Sequence, residues 1–144
     1  MEDILGPRFG VPHGTLATAI KPETPMPFIA VDDIGVFVAL AFDNPDAYLG
    51  KTIEIAGDVL TPPQLAATLS RAARRAIPYV QIPIETIRQQ NAELALVYEF
   101  VNESSLLVDI PALRQQHPDL MDCDLWLKKH STALFGHTQD DFSA

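Results

Sequence analysis

Apolar positions along the chain alternate between helical and strand spacing, and turn residues mark most of the changes. Residues 1–14 hold Gly6, Pro7, Gly10, Pro12 and Gly14, which prevent a long regular element. Residues 15–20 predict a strand, Lys21 to Pro25 a turn, and residues 27–31 a second strand returning as a hairpin. Asp32 or Asp33 then predicts a helix N-cap, because a carboxylate there accepts from free first-turn N–H groups. Ile34, Phe37, Val38 and Ala41 supply one apolar helix face. Asn44-Pro45 ends that helix, since proline disfavours helical geometry in the residue before it.

Residues 51–56 alternate, with Ile53 and Ile55 on one face and Thr52 and Glu54 on the other, which predicts a strand. Thr61 and Gln64 have capping-box spacing with Pro62 at the first helical position, and Leu65, Leu69, Ala72 and Ala73 form the buried stripe. A further strand is expected over 77–82. One long helix is expected over 84–102, with Ile87, Leu94, Val97, Tyr98 and Val101 on one face. Two short helices follow, near 110–116 and 123–130. The organisation predicted is one body over 1–135 and a polar, fraying tail over 136–144. Alternating strands and helices indicate α/β architecture. The strand count is too small for a doubly wound sheet with a complete ligand crevice.

At 144 residues the chain has the length of one domain, and 47% apolar with 20% charged residues is globular composition. Its longest apolar run, 36–42, is too short to span a bilayer, and residence in the cytoplasm is expected. Cys123 is the single cysteine, so no internal disulfide framework exists. The formal charge of −9 disfavours direct nucleic-acid binding, which requires several phosphates neutralised by Lys or Arg. The basic cluster of Arg71, Arg74 and Arg75 ends a predicted helix, where positive charge complements the helix dipole.

Candidate chemistry is sparse. Gly6, Gly10 and Gly14 lack the strand-before, helix-after setting of a phosphate-binding turn. His13, His117, His130 and His137 lack metal-ligand spacing, so no metal site is expected. Ser104-Ser105 lacks the strand-to-helix elbow of a serine hydrolase. None of Tyr48, Tyr79 or Tyr98 has a Lys four residues on; Tyr48 and Lys51 are three apart. No catalytic acid, base or nucleophile is expected from these patterns.

Several segments in order carry a resemblance. Met1-Glu2-Asp3-Ile4-Leu5-Gly6 is similar to a "MENxxG" segment, with Asp3 where Asn is usual. Val31-Asp32-Asp33-Ile34-Gly35 matches "V-x-D-I-G". Tyr48 to Thr61 follows "Y-x-G-K-x-I-x-L-A-G-D-x-x-T". His117-Pro118-Asp119-Leu120-Met121 with Trp126-Leu127 resembles a closing "hP-x-x-M-T-x-x-x-W-L" turn and helix. Together they resemble the NmrA-like family, atypical short-chain dehydrogenases. The resemblance implies the C-terminal part of a Rossmann-type domain, without the N-terminal nucleotide-binding βαβ units.

It also implies NAD(P) as the cofactor of full-length relatives and none held by this chain alone. Those relatives act as redox-sensing regulators or NAD(P)H-dependent reductases, and many bind the dinucleotide without the Tyr–Lys pair. Glu2 and Asp3 fall on the cofactor-side segment, beside the nicotinamide, and Phe9, Tyr98 and Phe100 on the substrate-side cleft. Met1 falls where the middle of a family domain would be, so a shortened gene product is expected. The alternative is a free-standing protein-interaction module, pairing with a partner or a second copy through an exposed sheet edge.

Overall fold

The computed structural model describes residues 1–5, 11, 14–104 and 108–135. A 3-10 turn, Glu2–Leu5, precedes strands β1 (Leu16–Thr18) and β2 (Met26–Phe28), then helices α1 (Val31–Asp43) and α2 (Pro45–Tyr48). Strand β3 (Asp58–Leu60), helix α3 (Pro62–Ala73) and strand β4 (Tyr79–Gln81) form the middle of the chain. Helices α4 (Ile84–Gln90), α5 (Ala92–Glu103), α6 (Ile110–Gln116) and α7 (Cys123–Phe135) complete it. The fold is α/β. No helix among the described residues is long and apolar enough to cross a membrane.

The expected hairpin does not form. β1 pairs in parallel with β4, Leu16 opposite Tyr79, and β2 pairs antiparallel with β3, Met26 opposite Leu60. Among the described residues each sheet has two strands. Leu16 and Thr18 are both fully buried, so β1 lies in the interior rather than on a hairpin edge. Pro27 in β2 has no N–H to give to a ladder, which suits a strand bonded along one edge only.

Residues 51–56 take no regular secondary structure, contrary to the strand their alternation predicts. A strand needs a neighbour to satisfy its backbone. Among the described residues, Thr52 to Ala56 make no backbone–backbone hydrogen bond. The long helix expected over 84–102 is two helices. Asn91 turns extended between them, and its side chain caps α5 by accepting from the Leu94 N–H at 2.9 Å. Arg88 pairs with Glu85 and, across the break, with Glu99.

α3 follows its sequence closely. Gln64 Oε1 accepts from the Thr61 N–H at 2.9 Å within a capping box, and Leu65, Ala66 and Leu69 are buried. Arg74 ends it in the left-handed region at φ 52°. The main core gathers Leu16, Phe28, Leu65, Leu69, Trp126 and Leu127. A second, smaller core holds Phe37, Leu113 and Leu120, with Leu40, Ile55 and Ile110 packed on it.

α1 departs from expectation twice. Its N-cap is Ala30, with no side-chain cap bond, and its buried residues are Asp33 and Phe37. Ile34 and Val38, expected on the buried face, are exposed.

Candidate functional site

Asp33 lies on the face of α1 that carries Phe37, and is 3% exposed. One carboxylate oxygen hydrogen-bonds His117 Nε2 at 2.8 Å, and the other accepts from the Met121 N–H at 3.1 Å. The His117 ring stands edge-on to Phe37, centroids 5.8 Å apart. Asp58 repeats the device from β3, accepting from the Cys123 N–H at 3.0 Å. Two carboxylates thus hold the turn between α6 and α7 at both ends. Both Asp33 oxygens are engaged within the chain at a buried position, so the arrangement fastens the turn before α7 to α1.

The sequence-predicted cofactor residues stand at the start of the chain. Glu2 Oε1 accepts from the Val31 N–H at 3.1 Å and from Trp126 Nε1 at 3.2 Å, so it joins the 3-10 turn to α1 and α7. Partial burial works to raise the Glu2 pKa. The backbone N–H groups of Glu2 itself and of Val31, together with the Met1 ammonium 3.1 Å away, outweigh it and leave the carboxyl below its ordinary value. Asp3 belongs to the same turn, and its side chain lies outside the described part.

Of the three aromatic residues expected at a substrate cleft, Phe9 lies outside the described residues. Tyr98 packs against the main core. Phe100 is 71% exposed and borders a pocket of about 260 Å³ with Ile20, Met26, Phe28 and Val101. The structure therefore separates Tyr98 from Phe100, one turning inward and the other forming an apolar rim. Neither lies among the contacts of Glu2.

Two larger hollows are more polar at their edges. Tyr48 and Lys51 border one of about 450 Å³, where the Tyr48 hydroxyl donates to Gln116 Oε1 at 2.7 Å. The other, also about 450 Å³, carries Arg71, Arg114, Asp122 and Asp124. Arg71 there is paired with Asp124 at 2.9 Å, so the basic cluster at the end of α3 is partly neutralised. Burial, with the Asp58 carboxylate beside it, pushes the Cys123 thiol far above its ordinary range. Among the described residues no group of three or more His, Cys, Asp or Glu side chains could hold a metal ion.

The Asp33 junction was the feature that sequence reading missed. Its signal was present: an ionisable residue between Phe37 and Leu40 on an otherwise apolar helix face indicates a buried polar partner.

The sequence profile of the NmrA-like family matches residues 10–120. An NmrA-like family domain-containing protein of Dictyostelium discoideum is 28% identical over 89 residues, 61% of this chain and 30% of that protein. The nitrogen metabolite repression protein nmrA of Emericella nidulans is 34% identical over 77 residues, 51% of this chain and 22% of that protein. The chain therefore spans less than a third of either relative. Among solved structures, NmrA, a negative transcriptional regulator in complex with NADP, superposes with a TM-score of 0.56 at 22% identity, over 87% of this chain and 44% of that one. A nucleoside-diphosphate-sugar epimerase from Staphylococcus aureus gives 0.61 at 22% identity, over 86% and 46%.

Proposed function

The chain belongs to the NmrA-like family, and from that premise we propose that it is the C-terminal, substrate-side lobe of an NAD(P)-binding protein. In this reading the βαβ units that grip the nucleotide phosphates lie outside these 144 residues. The observation that carries it is the coverage: most of this chain superposes on less than half of an NADP-bound relative. The 3-10 turn that holds Glu2 and Asp3 forms the cofactor-side edge, with Glu2 fixing the turn's position through Val31 and Trp126. The apolar pocket rimmed by Phe100 is the substrate-side wall, and Phe9 and Tyr98 belong to the same lobe. The assembled protein works in the cytoplasm as a redox-sensing regulator. The alternative role is NAD(P)H-dependent reduction, whose proton donor would come from the other half, since the Tyr48 hydroxyl in this lobe is committed to Gln116.

Most dinucleotide affinity comes from a glycine turn and helix N-terminus gripping the pyrophosphate. Titration calorimetry with the isolated chain should therefore give an NADPH dissociation constant no tighter than about 1 mM, roughly 4 kcal/mol. The same protein should not oxidise NADPH with a quinone. Micromolar binding by the chain alone would overturn the reading.

A further inference from the structure

We propose that the outer face of α5 docks a short cationic amphipathic helix from a partner protein, whose central apolar side chain enters the Phe100 pocket. This rests on the reading of the chain as the substrate-side lobe of a regulator, and names what the pocket of that lobe holds.

α5 is apolar on both sides, unlike a surface helix whose outer face is polar. Its inner side packs: Ala95 is fully buried, and Tyr98 and Val101 lie against the main core. On the outer side Glu93, Leu96, Val97, Phe100 and Glu103 share one face at helical spacing. Leu96, Val97 and Phe100 are 64%, 54% and 71% exposed there. Single exposed apolar residues need no explanation, but these three are contiguous and lead into the pocket between α5 and residues 20–28. Asn102 sets the width of that pocket. Its Oδ1 accepts from the Lys21 N–H at 2.8 Å and the Thr24 hydroxyl at 3.1 Å, and its Nδ2 donates to the Ala19 carbonyl at 3.0 Å. The Tyr79 hydroxyl holds the same turn by donating to the Ile20 carbonyl at 2.6 Å. Walls fixed in advance lower the ordering cost of binding.

Size and charge choose the occupant. Ile20, Met26, Phe28 and Val101 line the pocket, and no charged side chain does. Its volume of about 260 Å³ is below the roughly 300–1,000 Å³ of small-molecule sites, so it suits one side chain better than a whole metabolite. Glu23, Glu93 and Glu103 are exposed around the face, with Lys21 as the opposing cation, while Glu99 is taken up by Arg88. Glu93 and Glu103 close the apolar stripe at its two ends, about 15 Å apart along the helix. A partner helix with Lys or Arg at each end of its own apolar stripe matches them. A second copy does not. Antiparallel pairing of two α5 helices sets Glu93 of one against Glu103 of the other, and parallel pairing sets each against itself. An anionic membrane surface is repelled by the same rim.

The test is fluorescence anisotropy of the chain with a labelled synthetic helix of about four turns, leucines on one face, lysines on the other and one central phenylalanine. Saturable one-to-one binding that weakens with added salt is expected. Phe100→Asp and Leu96→Asp should each weaken it by about tenfold or more. Both sites are mostly exposed, so circular dichroism and melting of the variants should match the parent chain. Both substitutions add negative charge, which alone favours the cationic probe, so a loss reports the apolar contact. Phe42→Asp makes the same change at an 82% exposed position on α1 and should leave binding unchanged or tighter. No saturable binding, an equal loss with Phe42→Asp, equal binding of a probe with glutamate in place of lysine, or a homodimer formed through this face would each overturn the proposal. Micromolar NADPH binding by a chain that also docks the probe as described would remove the proposed function and leave the docking face standing.

Discussion

Gly57 and Gly35 have opposite surroundings. A Cβ at Gly57 would sit 1.9 Å from the carbonyl oxygen of Met121, whereas one at Gly35 would touch nothing within 4 Å. The Gly57 side is closed. There the turn before α7 is drawn in by Asp33 and Asp58, and both flanking residues of the glycine are accounted for, Ala56 by burial and Asp58 by its bond to the Cys123 N–H. On the Gly35 side an apolar stripe faces outward. A residue choice that local packing explains marks a finished region. One that local packing leaves unexplained, as at Gly35, marks a face left open within the described residues.

The severest way to break the closed side is Asp33→Ala. It removes the hydrogen-bond partner of the Met121 N–H and of the partly buried His117 ring at a position 3% exposed. Loss of two hydrogen bonds to a buried carboxylate, at about 1.5–3 kcal/mol each, is expected to cost about 3–5 kcal/mol in denaturant unfolding. Asp33→Asn keeps the shape and should lose less. A cost below about 1 kcal/mol for the alanine variant would mean that the turn before α7 is held by something other than this carboxylate.

Gly57→Ala comes next. The obstructing atom is backbone, so a methyl group cannot be accommodated by a rotamer change, and the turn must shift. Overpacking of this kind is expected to destabilise by about 1–3 kcal/mol. Gly35→Ala should have the opposite sign in the isolated chain, because helix propensity then acts without a clash. Paired thermal melts of the two variants therefore sharpen the comparison. If both destabilise, the exposed side of α1 is already packed in solution.

Much of the chain was legible beforehand because the signals were local. The capping box at Thr61, the strand near Tyr79, the helix of 110–116 and the start of the helix at Cys123, which runs on to Phe135 rather than ending near 130, each follow from residues within one turn of one another. What was not legible depended on partners distant in sequence. Alternation over 51–56 specifies which side chains share a face and says nothing about whether a neighbouring strand is present. Periodicity placed Ile34 and Val38 on an inner face because it assumes that every apolar stripe finds cover. Local rules offer Asp32 or Asp33 as a cap, while the bonds of Asp33 reach 84 and 88 residues along the chain. Among the candidate site residues, the placement of Phe100 beside Phe28 and of Glu2 beside Trp126 likewise needed the tertiary fold.

The smallest effect expected is electrostatic and lies where the first turn meets both α1 and α7. Glu2 is held below the ordinary glutamate pKa of 4.5 in the folded chain. A carboxyl whose folded pKa is lowered contributes stability that is present above its unfolded pKa and is lost as pH falls through the folded one. Glu2→Gln retains an oxygen able to accept from Val31 and Trp126, and it removes the charge together with the 3.1 Å ion pair between the other carboxylate oxygen and the Met1 ammonium. The stability difference between wild type and Glu2→Gln should therefore be constant above about pH 6 and shrink steadily below 4.5, vanishing once the carboxyl is protonated in both states. Because the Glu2 side chain is 43% exposed, solvent screens it and the difference should stay small at all pH values. Urea midpoints of both proteins across this range would check it. A difference that persists undiminished into acid would show that Glu2 holds the turn through its shape and hydrogen bonds, and that its charge contributes nothing to the closed side of the molecule.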